Sequence, residues 1–477
     1  MDEVRRARDA APGADLVEVR LDGVDRPDPV AALEGRRRPV IVTCRPKWEG
    51  GAFDGSEDER RELLLAASAA GAEFVDIELA AAFAPEIVRL RRGRGVIVSI
   101  HRFGGQAGDL QEQTRAQRST GAEVVKLAVE VDSLTATLPL FELGVRMQEE
   151  ATDGQGHVLI AMGARGAHTR VLGARLRNRW SYAGDGIAPG QLPPGRLLDE
   201  FMFRRIQPDA DLYAVVGAPV AHSLSPAMHN AGFARAGLNA AYVALEARDA
   251  DDFVAFARSI GLRGASVTAP FKVAMLERVD DCDPVARRVG ALNTVVIRDG
   301  RWIGANTDLA GFVTPLKGRM ALRGTRAAVL GAGGAARAVA AALKREGARV
   351  SICARRANQA RAVALKIGVD TGPFPPAPGT WDVLVNATAS GSQPGDLSPM
   401  HGIALDGEIV FDLTYSPEIT PLIAQARAAG CWTIGGIEML IGQAERQFEL
   451  WTGAAPPPGL FRAAADAATG WKAGARS

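Results

Sequence analysis

Seven short apolar runs, each followed by enough chain for a helix, constrain the first 205 residues more than any other feature. They are residues 16–22 (LVEVRLD), 40–45 (VIVTCR), 74–79 (FVDIEL), 96–101 (VIVSIH), 124–129 (VVKLAV), 157–163 (HVLIAMG) and 179–183 (RWSYA). They are rich in β-branched residues and near-continuous, the pattern of strands buried on both faces. The spacers of roughly 15–30 residues have room for a crossover helix. Repeated βα units of this size predict an α/β fold, either a (β/α)8-type barrel or a doubly wound sheet.

A second pattern starts near Leu212. One α/β segment runs over residues 212–320, and then 326–334 (RAAVLGAGG) opens a unit with a glycine-rich turn. Strands are expected at 348–354, 381–386 and 408–413, and Pro208 marks the boundary between the two patterns. The total of 477 residues suits two to four domains. A hydrophobic content of 47% and a charged content of 23% are those of a soluble globular chain. A net charge of +1 leaves no footprint for nucleic acid or an acidic membrane. The cysteines Cys44, Cys282, Cys353 and Cys431 lie far apart, which fits a reducing cytosol rather than a disulfide framework or zinc knuckle. No HExxH occurs, and no metal is expected. The first residues, MDEVRRARDAAPG, lack the apolar core of a signal peptide, and no apolar run is long enough to span a bilayer. These features predict a cytoplasmic protein with small-molecule partners.

Polar residues inside buried strands carry the chemistry, because burial without a partner is costly. Lys126 sits inside VVKLAV. Desolvation would depress its pKa and make it a neutral amine, a nucleophile that forms Schiff bases with ketones. Alone, such a lysine is more often one that snorkels at a strand end. His101 alone is more often structural. Glu18 and Arg20 alternate along one face of VEVRLD and suit a structural ion pair, and Arg45 closes VIVTCR. In a barrel, however, residues at C-terminal strand ends converge on one mouth. A lysine, a histidine and several arginines there suit an anionic keto acid.

The stretches EVRLD, TCRPKWEGG, SIHRF, the KLAV lysine, MGARGAHTRVL and APGQ resemble type I 3-dehydroquinate dehydratase over about residues 10–205. The resemblance implies an N-terminal (β/α)8-type barrel. It implies that Lys126 forms an iminium with the C3 ketone, and that His101, with Glu49 beside it, moves the C2 proton and the departing hydroxyl. It implies that Glu18, Arg20, Arg45, Arg170 and Gln191 hold the substrate, with Arg170 as the carboxylate fork. Where many relatives have a serine four residues before the glutamine of APGQ, this chain has Ile187.

GAGGAAR, residues 331–337, follows an apolar strand and precedes an alanine-rich helix, the place where a pyrophosphate meets a helix N-terminus. Alone it is a weak signal. The next strand ends in Arg355 and Arg356 with no acid, which favours the 2′-phosphate of NADP over NAD. GAPVAHSLSPAMHN, GASVTAPFK, GALNTVV, GANTDLAGF, NATASG, DLTYSP and GIEMLIGQAERQFELWTG resemble shikimate dehydrogenase over about residues 212–453. The resemblance implies that Ser223 and Ser225 take the substrate carboxylate, and that Lys272, Asn293 and Asp308 surround the ring hydroxyls. Thr268, Tyr415 and Gln443 would complete the pocket, and Lys272 with Asp308 would be the acid/base pair. NADP would contact Gly331, Ala332, Gly333, Gly334, Ala335, Arg355, Arg356, Asn386, Ala387, Thr388 and Gly436.

The expected organisation is therefore a dehydratase barrel over 1–207 and a dehydrogenase over 208–477. The substrate-binding part of the latter would be 208–320 plus about 430–477, around a Rossmann-like NADP part at 321–430. The expected activities are dehydration of 3-dehydroquinate and NADPH reduction of the product to shikimate. One alternative is a quinate/shikimate dehydrogenase fused to the dehydratase, and both serines of HSLSP favour shikimate. Another is a non-enzymatic metabolite-binding regulator, which would be expected to lose catalytic residues. Only seven strands are countable where a closed barrel needs eight. The helix read over MDEVRRARDAAPG leads straight into LVEVRLD, so either the start lies too far downstream or the barrel is open at that seam.

Overall fold

The buried runs of the first half become one row of parallel strands. In the computed structural model, which describes residues 1–104, 108–151, 154–184, 186 and 188–474, these are β1 (Val17–Arg20), β2 (Val40–Thr43), β3 (Phe74–Glu78), β4 (Val96–Arg102), β5 (Val124–Glu130) and β6 (Gly156–Met162). They lie in sequence order, each parallel to the next. Polar side chains therefore emerge at equivalent heights: Ser99 is in register with Lys126, and Glu78 with Ser99.

The seventh expected strand, 179–183, is a correction. Arg179 N donates to His157 O at 2.9 Å, but the Asn178 side chain then takes both Leu159 N and Leu159 O at 2.9 Å. A side-chain amide stands where the next backbone pair of a ladder would be, so the segment runs beside β6 without joining it. Among the described residues no strand links β6 to β1, and the sheet is an open row of six.

The expected N-terminal helix is present as Asp2–Ala10. Its Arg8 is buried and donates to Ala32 O and Glu34 O at 2.7 and 3.0 Å. Helix Glu57–Ala69 starts with a capping box, in which Ser56 and Glu59 satisfy each other's backbone N–H groups. That start aims the fully buried Arg60 at the carboxylate of Glu78 on β3.

By packing, the chain divides into a unit that includes Met1–Ala210 and Asn239–Ile260, and a second of Asp211–Leu238 and Gly261–Lys472. The second unit begins with β7 (Asp211–Gly217), whereas β8 (Ala240–Glu246) and helix Ala250–Ile260 cluster with the first. There the Asp252 carboxylate accepts the N–H groups of Leu134 and Thr135, each at 3.0 Å.

The second unit holds two sheets. One contains β9 (Leu262–Val267), β10 (Asp281–Cys282), β11 (Thr294–Arg298) and β12 (Arg301–Ala305), in the order β10-β12-β11-β9-β7. The other contains β13 (Arg326–Leu330), β14 (Arg349–Cys353), β15 (Asp370–Gly372), β16 (Val383–Asn386), β17 (Ile409–Asp412) and β18 (Trp432–Gly435). Its order is β15-β14-β13-β16-β17-β18, parallel throughout. The order reverses between β13 and β16, and a crevice opens at such a switch point. The three strands expected here are β14, β16 and β17, whereas the short β15 and β18 carry too little pattern to be read. Helices Asp308–Lys317 and Gly436–Thr452 cross glycine against glycine: a Cβ on Gly442 would meet Gly311 Cα at 2.9 Å. The close crossing brings Asp308 and Gln443 to one cavity.

Candidate active sites

The first site is built from side chains on β1 to β5 and from Arg45 just beyond β2. The Lys126 Nζ donates to Asp76 Oδ2 at 2.9 Å and lies 3.9 Å from Glu18 Oε1. Its ammonium also lies over the Tyr182 ring, 4.5 Å from the centre. Asp76 is fully buried, bound by Arg45 at 3.0 Å and by the Ser99 hydroxyl at 2.6 Å. Arg45 also holds Glu78 at 2.6 Å, and Arg60 holds Glu78 from the other side. Burial lowers the Lys126 pKa, but Asp76 above all outweighs it, and the net shift is upward. This corrects the expectation of an amine made neutral by burial. Asp76 itself is held far below the usual carboxylate range, because Arg45 and Lys126 outweigh its burial.

His101 Nδ1 meets Glu49 Oε1 at 3.0 Å, and the same oxygen accepts the His101 backbone N–H at 2.7 Å. Burial, then Arg45 and Lys126, keep the imidazole well below its ordinary pKa and therefore neutral. Burial pushes the Glu49 carboxyl up to about 7, against the pull of Arg45. A neutral imidazole beside a carboxyl that titrates near neutrality suits proton transfer.

The other expected residues of this half divide by what already holds them. Arg20 does not pair with Glu18 but with Asp22, by two bonds of 2.7 Å, while Glu18 accepts the Thr43 hydroxyl at 2.7 Å. Arg45 is tied to carboxylates and a hydroxyl. Arg170 is different: it is buried, yet among the described residues it donates only to the carbonyls of Gly190 and Pro189, at 3.0 and 3.2 Å. Burial alone pushes its pKa down to about 10. A desolvated guanidinium without a carboxylate is a ready site for one. Gln191 accepts Ala188 N at 3.1 Å. Ile187 lies outside the described residues. Sequence reasoning missed Asp76, Glu78, Ser99, Arg60 and Tyr182. The acids of FVDIEL were legible by the argument that singled out Lys126.

The second site is a cavity of roughly 280 Å³. It is lined by every residue expected for the dehydrogenase substrate: Ser223, Ser225, Thr268, Lys272, Asn293, Asp308, Tyr415 and Gln443. Lys272 Nζ donates to Asp308 Oδ2 at 2.6 Å. Asn293 is the hub, its amide nitrogen donating to Asp308 Oδ1, Thr307 Oγ1 and Gln443 Oε1 at 2.7, 2.9 and 3.1 Å. Its carbonyl accepts Thr307 N and the Thr294 hydroxyl, each at 2.8 Å. Gln447, which the sequence did not single out, ties Ser266, Thr294 and Asn293 O together behind it. Ser225 opens helix Ser225–Arg235, and its N–H donates to Ser223 Oγ at 3.2 Å, so both hydroxyls stand at a helix start that favours anions.

A separate cleft of roughly 460 Å³ is lined by Gly331, Ala332, Gly333, Arg337, Arg355, Arg356, Ala387 and Thr388, with Phe374 and other uncharged residues between. Gly331 has φ +112°, and a Cβ there would meet Ala387 O at 3.0 Å, so only glycine keeps the cleft open. Three guanidiniums and no carboxylate line it, which fits a dinucleotide bearing an extra phosphate. Asn386 is buried beneath the cleft, not in its lining. Its Oδ1 accepts Thr388 N and Oγ1 at 3.1 and 2.7 Å, and its Nδ2 binds Asp412. Ala335 and Gly436 line the substrate cavity instead. Gly334 backs onto Lys272, where a Cβ would come within 3.3 Å of the lysine side chain. Among the described residues no cluster of acids, cysteines and histidines suits a metal, and no helix is long and apolar enough to cross a membrane.

Comparison with known proteins gives a matching picture. Residues 1–206 match the model of type I 3-dehydroquinase, 215–295 that of the shikimate dehydrogenase substrate binding domain, and 436–465 that of the shikimate 5′-dehydrogenase C-terminal domain. The chain is 34% identical to the chloroplastic bifunctional 3-dehydroquinate dehydratase/shikimate dehydrogenase of Arabidopsis thaliana, over 94% of this chain and 79% of that one. It is 41% identical to a shikimate dehydrogenase (NADP(+)) of an Anaeromyxobacter species, over 53% of this chain and 95% of that one. Among solved structures it resembles shikimate 5-dehydrogenase from Thermus thermophilus in complex with NADP(H) and shikimate. That likeness has 38% identity and a TM-score of 0.50, and covers 54% of this chain and 99% of the other.

Proposed function

The chain belongs to the family of bifunctional 3-dehydroquinate dehydratase/shikimate dehydrogenases, and from that premise we infer that it dehydrates 3-dehydroquinate and reduces the resulting 3-dehydroshikimate to shikimate. It is a lyase and an NADP-dependent oxidoreductase of the shikimate pathway. The observation that carries this reading is the pair of amine–carboxylate contacts, Lys126–Asp76 and Lys272–Asp308, each among the side chains its reaction needs. We assign the dehydratase to 1–207, as a (β/α)8-type barrel in which six strands are described, and the dehydrogenase to 208–477, and we place the protein in the cytoplasm.

In the first reaction Lys126 attacks the C3 ketone, and the iminium that forms acidifies the C2 protons. Arg170 takes the carboxylate. Neutral His101, oriented through Nδ1 by Glu49, removes a C2 proton and returns it to the departing hydroxyl. Glu18 and Gln191 offer acceptors to substrate hydroxyls, while Arg45 acts through Asp76.

In the second, Ser223 and Ser225 hold the carboxylate, and Asn293, Thr268, Tyr415 and Gln443 fix the ring. NADPH, held by the Gly331–Gly333 turn with Arg355 and Arg356, supplies the hydride when bound. Lys272 gives its proton to the developing alkoxide, and Asp308, 2.6 Å from the amine, keeps it aimed. Purified protein given 3-dehydroquinate and NADPH should consume the NADPH. Lys126→Ala should not, until 3-dehydroshikimate is added directly. Failure of the wild type on both substrates would sink the reading.

A further inference from the structure

Tyr182 stands in the 179–183 segment that runs beside β6. Its hydroxyl is shielded from solvent and, among the described residues, finds no hydrogen-bond partner. The Trp180 indole N–H approaches the phenol oxygen as a donor, outside good hydrogen-bond geometry, and so leaves the phenol's own O–H unspent. Buried hydroxyls are ordinarily paired, and an unpaired one costs stability. The other hydroxyls around Lys126 are spent, Thr43 on Glu18 and Ser99 on Asp76. The Tyr182 ring meanwhile carries the Lys126 ammonium on its face at 4.5 Å, a cation–π contact that fixes the phenol against the nucleophile. Burial, opposed by Lys126 and reinforced by Glu18 and Asp76, raises the phenol's pKa, so it stays a donor at working pH.

We propose that Tyr182 donates its hydrogen bond to the ketone oxygen of the substrate, polarising the carbonyl that Lys126 attacks. This rests on the dehydratase reading above. One ammonium proton passes to Asp76 Oδ2, 2.9 Å away, and the freed lone pair forms the C–N bond as the carbonyl π pair moves onto oxygen, toward the phenol O–H; Asp76 then returns that proton to the departing oxygen. Two of the three ammonium protons leave with that oxygen as water, and the iminium keeps the third with the positive charge. Tyr182 transfers no net proton, and no further reactant is needed.

The test is the rate at which borohydride fixes a substrate-derived mass on Lys126, measured for wild type, Tyr182→Phe and His101→Ala with 3-dehydroquinate. Tyr182→Phe keeps the ring and loses only the hydroxyl. Its trapping rate should fall about tenfold to a hundredfold, below the loss seen for a full oxyanion donor. Its melting temperature should hold or rise, since the lost group had no partner. His101→Ala, whose lost proton transfer follows the imine, should still take up the mass while its turnover collapses. Trapping by Tyr182→Phe at the wild-type rate overturns the proposal, and so does slower trapping accompanied by a lower melting temperature, which would assign the residue to packing. A wild type that takes up no mass fails the dehydratase reading itself, which the two variants do not decide.

Discussion

Each half of the molecule holds a lysine against an aspartate, at 2.9 Å for Lys126–Asp76 and 2.6 Å for Lys272–Asp308, but the two pairs are supported by different materials. Behind Asp76 stand further charges: Arg45, then Glu78, then Arg60, all buried. Behind Asp308 stand neutral groups: the Asn293 amide, the Asn306 carbonyl on the Asp308 N–H, and the Thr307 and Gln443 side chains around the hub. Burial and a chain of charges together move proton affinities: the charges outweigh burial at Lys126 and Asp76, while burial dominates at the neighbouring Glu49 and His101. A lattice of amides and hydroxyls fixes direction. The imine chemistry of the first site needs tuned protons, and the hydride chemistry of the second needs a donor held in place.

The largest test of that contrast removes each lysine in turn. Lys126→Ala should cost the dehydratase at least about a thousandfold, as loss of a covalent nucleophile does, and leave shikimate oxidation intact. Lys272→Ala should cost the dehydrogenase about a hundredfold to ten-thousandfold and spare the dehydratase. A folded variant that loses both activities would break the comparison.

Next, Asp76→Asn leaves Lys126 and Arg45 facing a neutral amide in a buried site. Breaking a buried charge cluster in this way costs about 3–5 kcal/mol, to be read by denaturant unfolding. Asn293→Ser, in the neutral lattice, should cost clearly less. Equal losses would mean that the charged and neutral supports are equivalent.

Glu49 gives a pH signature. Its folded pKa of about 7 lies above the ordinary 4.5, so the native state holds an extra proton between those values. That contribution to stability is complete below about 4.5 and is lost as pH rises through about 7, an effect on the order of 3 kcal/mol. Glu49→Gln should therefore be more stable than wild type at pH 8 and indistinguishable at pH 4. The dehydratase rate should rise through about pH 7 in the wild type, as ionised Glu49 fixes the His101 tautomer, and this limb should vanish in the variant. An unchanged profile would remove Glu49 from the proton path.

The smallest effect belongs to the cofactor cleft. Replacing Arg355 with methionine should raise the KM for NADP by the loss of one charge-assisted bond, about 1.5–3 kcal/mol, with little change for NAD. Equal changes for both cofactors would place the guanidinium elsewhere than at the extra phosphate.

Six of the seven runs in the first half are strands because a two-face-buried strand writes itself as an unbroken apolar run, as in β4 and β5. Run 179–183 misleads because its aromatics and serine suit a strand, while a neighbouring side chain, Asn178, decides the pairing. The residues expected around the dehydrogenase substrate all line one cavity because they come from motifs, whereas Gln447 behind them and the places of Ala335 and Gly436 depend on packing that no motif states. The state of Lys126 was not, because a pKa depends on what lies across the sheet, and Asp76 is 50 residues away in the chain.

The crossing of helices Asp308–Lys317 and Gly436–Thr452 bears on how this gene can drift. Gly311 and Gly442 touch no substrate, yet a methyl group at Gly311 would lie 2.6 Å from Met439 O, and one at Gly442 would lie 2.9 Å from Gly311 Cα. Any replacement must pry the helices apart and pull Asp308 from Gln443. Two codons remote from the reaction should therefore be as intolerant of change as the codon for Lys272. In a library of all single substitutions selected for shikimate synthesis, they should be depleted to the same degree.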